Sequence, residues 1–126
     1  MLEKTIIVGD KEVRFKSSAA IPRIYRNMFN KDIFVDIAQL EKAYSENEDH
    51  QEASGLSIAD LTIFENVAYC MAKHADPTAP DDIDEWLEQF EMFSIYEILP
   101  EIIELWSSNN FSQTEAKKNT RPQNAK

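Results

Sequence analysis

The sequence predicts a mainly α fold, in which an N-terminal β-hairpin is followed by about five helices and a disordered C-terminal tail. Three observations lead to this prediction. Apolar and charged residues alternate near the N-terminus, apolar residues then recur at helical spacing as far as residue 106, and none larger than alanine follows Phe111. We therefore expect one folded domain over residues 1–111 and a disordered tail over residues 112–126.

Two short β-type runs come first, at residues 5–8 and 12–16, and Gly9-Asp10 joins them. The second run alternates apolar and charged side chains, as expected for a strand with one buried face. A two-residue connection that contains glycine is typical of a tight turn. We predict a β-hairpin over residues 4–16.

The next two apolar patterns have helical spacing and predict helices over about residues 20–30 and 32–44. Pro22 fits only the first turn of the first helix, and Asp32 is the expected N-cap of the second. The inward face of the first helix is predicted to carry Ile21, Ile24, Tyr25, Met28 and Phe29. That of the second is predicted to carry Ile33, Ile37, Leu40 and Tyr44. The polar segment 45–55 should be an exposed, mobile loop.

The longest apolar pattern predicts a central core helix over residues 57–75. Ser57, with Asp60 three residues later, resembles a capping box at its start. Its main stripe is Ile58, Leu61, Phe64, Val67, Ala68, Met71 and Ala72, and Ile63, Tyr69 and Cys70 widen it.

Two further helices are predicted over about residues 82–91 and 95–108. The first should start at Asp82, with Glu85 three residues on, and Ser94 with Glu97 repeats that pattern before the second. Pro100 should kink or interrupt the last helix at Leu99, because proline lacks the N–H that a helix interior requires.

The net charge of −10 is unevenly distributed along the chain. Residues 1–34 carry +3, residues 35–111 carry −16, and residues 112–126 carry +3. A central segment with this much negative charge repels phosphate backbones, which argues against a nucleic-acid partner. No apolar run approaches the roughly 18 residues of a membrane span, the start of the chain does not resemble a signal peptide, and there is a single cysteine. We expect a cytoplasmic protein.

The residues offer little to a catalytic or metal site. Cys70 and His74 are four residues apart on one predicted helix face, but no third ligand, orienting carboxylate or oxyanion hole is evident. A core cysteine and a histidine near a helix C-terminus explain this pair better. The acids Asp81, Asp82, Asp84 and Glu85 lack calcium-loop spacing, and only two glycines are available for a phosphate loop. We expect no catalytic residue, no cofactor and no metal.

Three aromatic residues of the later helices are candidate partner anchors, namely Trp86, Phe90 and Trp106. Tryptophan is enriched at interface hot spots, although at helical spacing such residues are more often core. If they are exposed, they would form an apolar groove for a partner helix. The predicted acidic rim of that groove is Glu88, Glu91, Glu101 and Glu104.

Three stretches resemble a known family. They are residues 23–33 (RIYRNMFNKDI), residues 65–76 (ENVAYCMAKHAD), and residues 85–90 (EWLEQF) continuing into residues 96–106 (YEILPEIIELW). In this order they resemble the tail assembly chaperones of long-tailed (siphovirus-type) phages and prophages of Gram-positive bacteria. The resemblance spans about residues 4–106.

The resemblance implies a non-catalytic viral late protein that is present in the host cytoplasm during tail assembly and absent from the mature virion. Such chaperones bind the tape measure protein, keep it soluble and help to recruit tail tube subunits. In this family a programmed frameshift gives a longer isoform, which would contact the tail tube (major tail) protein. Codons for Lys117-Lys118-Asn119 would permit such a slip. A homo-oligomer is also compatible with the family.

Two alternatives remain open. The chain could be a different small acidic helical interaction or regulatory protein that binds a basic partner, which would need the acidic faces but not the hairpin. An enzyme that uses Cys70 and His74 is the other, and an altered reactivity of the thiol would distinguish it.

Overall fold

The computed structural model describes residues 2–46, 56–92 and 94–107, and these confirm the mainly helical fold with an N-terminal hairpin. The elements in chain order are β1 (Leu2–Val8), β2 (Lys11–Ser17), α1 (Ile21–Phe29), α2 (Ile33–Glu46), α3 (Ile58–Ala75), α4 (Ile83–Leu87), a 3₁₀ helix (Ile95–Ile98) and α5 (99–107). Of the loop predicted over residues 45–55, residues 45 and 46 belong instead to α2. Residues 47–55 and the tail predicted over residues 112–126 lie outside the described residues. Within them, no helix combines the length and the apolar character that crossing a membrane requires.

The hairpin is antiparallel, and its pairing runs from Leu2 opposite Ser17 to Val8 opposite Lys11. Two residues therefore form the turn, and Gly9 adopts a left-handed φ of 65° that L side chains rarely accept. On the inner face of the hairpin, the buried side chains are Ile6, Val8, Phe15 and Ser17. This face packs on α3 through β2.

Helix α3 is the centre of the core, because it contacts β2, α1, α2 and α4. The predicted capping box is present: Ser57 Oγ accepts a hydrogen bond from the Asp60 N–H, and the Asp60 carboxylate accepts one from the Ser57 N–H. The predicted burial of Ile58 is wrong, since its side chain is 84% exposed. Leu56, which precedes the cap, is buried at this end of α3 instead, as in a hydrophobic staple.

Helices α1 and α2 follow the sequence prediction closely. Pro22 lies in the first turn of α1, and Asn30 ends this helix in a left-handed conformation with φ of 59°. Asp32 acts as the predicted cap of α2, because its Oδ1 accepts a 2.9 Å hydrogen bond from the Phe34 N–H. The helix continues to Glu46, past the predicted end at residue 44, because neither glycine nor proline interrupts it there.

The predicted helices at 82–91 and 95–108 are both shorter in the structure. Asp82 makes no side-chain cap, and after Leu87 the backbone tightens into i to i+3 hydrogen bonds, which end α4. Ser94 makes no cap either. The expected interruption at Leu99 is confirmed, because the 3₁₀ helix gives way there to α5 with Pro100 in its first turn.

Candidate functional site

Cys70 and His74 lie on α3 in different environments. Cys70 is fully buried, and burial raises the pKa of its thiol to about 12. Burial also lowers the pKa of His74, and the nearby charge of Lys16 lowers it further. The described residues contain no group of three or more histidine, cysteine or acidic side chains that could hold a metal ion.

His74 contacts a residue that the sequence analysis missed. Its Nε2 lies 3.0 Å from Ser18 Oγ, which also accepts a hydrogen bond from the Ala20 N–H before α1. This contact joins the end of α3 to the start of α1. No local pattern could have shown it, because 56 residues separate the two side chains.

One of the acids before α4, Asp81, forms an ion pair with Lys73 of α3. Lys73 Nζ forms a 2.8 Å ion pair with Asp81 and donates hydrogen bonds to the carbonyls of Pro77 and Ala79. The hydrogen bond and the charge of Lys73 lower the pKa of Asp81. These contacts hold the loop between α3 and α4 against the end of α3.

The three predicted aromatic anchors do not form one surface. Trp86 is 3% exposed and lies in a cluster of rings, with centroid distances of 6.5 Å to Phe15, 5.6 Å to Tyr69 and 5.1 Å to Phe90. Trp106 is 4% exposed, and its ring lies 5.4 Å from that of Phe34 on α2. Both tryptophans are therefore core residues, as their helical spacing favours, and each fills the core beneath a different part of the fold.

The four predicted rim acids also separate into two pairs. Glu88 and Glu91 are exposed next to the Trp86 cluster. Glu101 and Glu104 lie on α5, where Lys4 Nζ of β1 approaches their carboxylates at 3.3 and 3.5 Å. The two pairs therefore do not form one continuous rim, since the second lies against Lys4 of the hairpin.

Trp86 and Phe90 do line an open groove, here called the β2–α4 groove. Its volume is about 320 Å³, and it lies between residues 11–14 of β2 and the segment from Trp86 to Phe90. The end of α3 and the loop after it complete the lining with Ala72, Asp76, Thr78, Ala79 and Pro80. Phe90 is half-buried, so part of its ring remains available to a partner.

A second opening of about 380 Å³ lies between α1 and the start of α2. It is lined by Pro22, Arg26, Asn30, Lys31, Asp32 and Phe34. Phe34 is 54% exposed and the adjacent Val35 is 64% exposed. Exposed apolar side chains therefore lie near Arg26 and Lys31 at this opening, and Ile7, Ile58 and Met92 are exposed on the described surface as well.

Comparison with known proteins found no matching family model, no matching curated protein and no matching solved structure.

Proposed function

We propose that this protein is a tail assembly chaperone of a long-tailed phage or prophage, which acts in the host cytoplasm. It binds the tape measure protein, keeps it soluble and helps to recruit tail tube subunits, and it has no catalytic role. The family resemblance of residues 23–33, 65–76 and 85–106 supports the proposal. The structural observation that carries it is the β2–α4 groove, an open site in which Trp86 and Phe90 meet.

The groove suits apolar side chains that project from a partner helix. Phe90 is half-buried against Trp86, and Val13, Ala79 and Pro80 add apolar surface to the lining. A long helical protein such as the tape measure carries apolar stripes that need to be covered before assembly. Helix-in-groove binding covers such stripes through a few anchors at helical spacing. The groove therefore replaces the continuous surface from Trp86 to Trp106 that the sequence predicted.

Charged residues of both signs line the groove, namely Lys11, Glu12, Arg14 and Asp76, and further acids lie near it. Glu88 is exposed on the segment that forms one wall, Glu91 is exposed just after that segment, and the chain as a whole carries −10. Such charges select basic partners and speed their encounter more than they tighten the complex. Salt at ~1 M shortens the electrostatic reach to about 3 Å, so it should slow association without abolishing binding.

Co-expression with the tape measure protein of the same phage tests the proposal. The wild-type chain should keep that protein soluble and co-purify with it. Gln89→Trp places a bulky ring in the groove at an exposed position and should prevent capture. Ala38→Trp, at an exposed position of α2, is the matched control and should bind like the wild type. Melting temperatures should be the same for all three proteins.

Two results would contradict the proposal at different levels. If the wild-type chain neither binds nor solubilises the tape measure protein, the chaperone function is wrong. If Gln89→Trp captures it as well as Ala38→Trp does, the function stands and the β2–α4 groove is not its site. The alternative, a regulatory protein with a basic partner, predicts no tape measure gene beside this one.

A further inference from the structure

The outward face of α1 is basic, although the chain as a whole is acidic. Arg23, Arg26 and Lys31 are all exposed, within a segment that carries +3 while residues 35–111 carry −16. Every ion pair among the described residues involves Lys4, Arg14 or Lys73. Arg23, Arg26 and Lys31 therefore have no acidic partner within the described part of the chain.

Two of the cations, Arg23 and Arg26, follow the spacing of a helix. Arg23, Arg26 and Asn30 are at positions i, i+3 and i+7, so they lie on one face of α1, opposite the buried Ile21 and Tyr25. At 1.5 Å per residue this row is about 10 Å long. Asn30 has a left-handed φ, so the chain turns after it. Lys31 follows at the mouth of the second opening.

Exposed apolar side chains adjoin this row at the start of α2. Phe34 packs edge-on against Trp106, so its ring is held in position while about half of it remains exposed. Val35 is more exposed still. Asp32 is the only carboxylate among the residues that line the opening, and it accepts the Phe34 N–H as a helix cap. We call Arg23, Arg26, Lys31, Phe34 and Val35 the basic apolar surface.

We propose that the basic apolar surface binds an acidic amphipathic helix of a partner protein. Carboxylates spaced three to four residues apart on that helix pair with Arg23, Arg26 and Lys31. Its apolar stripe covers Phe34 and Val35, which a nucleic-acid backbone would leave exposed. The proposal goes beyond the binding of the tape measure protein and does not depend on it. Together with the β2–α4 groove of the proposed function, this surface would give the chain two docking sites, which can hold two different partners together.

Binding of a designed helical peptide tests the proposal. The probe carries glutamates at i, i+4 and i+7 beside a leucine stripe, and the control peptide has lysine at each glutamate position. The full chain should bind the acidic peptide and not the basic one, with amide shifts in α1 and the start of α2 measured by NMR. Binding should weaken as salt rises, because part of the attraction is electrostatic.

Variants of equal charge change make the test specific to the site. Arg23→Gln with Arg26→Gln should weaken binding about tenfold. Lys42→Gln removes one exposed charge elsewhere and should have little effect, whereas Arg26→Gln alone removes one charge from the surface and should weaken binding. Phe34→Ser with Val35→Ser should also weaken binding, while circular dichroism and the melting curve show that each variant is folded.

Three outcomes would overturn the proposal. The acidic peptide fails to bind, or the Lys42→Gln variant loses as much affinity as the Arg26→Gln variant. In the third outcome, a single-stranded DNA of the same charge displaces the peptide and contacts the same residues. That result would make the surface a site for polyanions in general.

Discussion

The hydroxyl of Tyr25 on α1 donates a 2.8 Å hydrogen bond to Oδ2 of Asp36 on α2. Tyr25 is fully buried while Asp36 is half-buried, so the bond lies at the edge of the core. Burial, with the adjacent carboxylate of Asp36, raises the pKa of Tyr25 and keeps its hydroxyl a donor. This bond fixes the angle between the two helices that carry the basic apolar surface.

Loss of this hydroxyl should have a measurable cost. We expect Tyr25→Phe to lower the free energy of unfolding by about 0.5–1.5 kcal/mol, the net value of a typical hydrogen bond. Tyr44→Phe is the control, because Tyr44 is half-buried and its hydroxyl has no hydrogen-bond partner among the described residues. Urea unfolding of both variants provides the measurement. Equal losses would show that the Asp36 contact contributes nothing specific.

His74 should make the protein less stable as the pH falls below about 6.5. Its folded-state pKa is lowered, so between that value and the ordinary one the unfolded chain binds more protons than the folded chain. Stability must therefore rise with pH across this window. Acidic residues with lowered pKa values, such as Asp60, add their own loss only at lower pH.

His74→Gln should flatten this pH dependence, which urea unfolding at several pH values can measure. The other histidine, His50, is present in both proteins, so its titration cancels in the comparison. An unchanged slope in the variant would mean that His74 does not titrate differently in the two states.

The thiol of Cys70 should be unreactive in the folded protein. It is fully buried with a pKa of about 12, so almost no thiolate is available at pH 8. A chromogenic disulfide reagent should react only as the chain unfolds, at a rate that follows urea concentration. The Cys70→Ala variant supplies the background. Rapid reaction of the native protein would instead favour the enzyme alternative.

The hairpin turn should not tolerate a side chain at Gly9. Its left-handed φ costs an L residue about 1–2 kcal/mol, and an added Cβ would lie 3.2 Å from Ser94 Oγ. We expect Gly9→Ala to destabilise the fold by at least about that amount. Asp10→Ala is the control, because Asp10 does not have a positive φ. Adding Ser94→Ala should recover only the part due to the close contact, as thermal melts would show.

Features set by neighbouring residues could be predicted from the sequence. The two-residue hairpin turn, the Ser57 and Asp60 capping box and the break at Leu99 all depend on residues within a few positions of one another. The length of α4 could not be predicted, because helical and 3₁₀ turns after Leu87 differ little in local preference. The candidate site was predicted only in part.

Trp86 and Phe90 do line the groove, but Trp106 does not join them. The ring of Trp106 packs against Phe34, which is far away in the sequence. Trp86 likewise packs against Phe15 of the hairpin. The side chains of Lys4 and Ser18 were missed for the same reason. Periodicity identifies the side of a helix that is apolar, but not the element that covers it.

The ion pairs between Lys4 and α5 join residues that are far apart in the sequence, and the contact with Glu104 spans 100 residues. At 5–20 residues per second, a ribosome needs roughly 5–20 s to make the chain between them. During that time the 3₁₀ helix and α5, both of which contact β1 in the finished fold, are not yet complete. The hairpin therefore reaches its final contacts only after α5 has been synthesised.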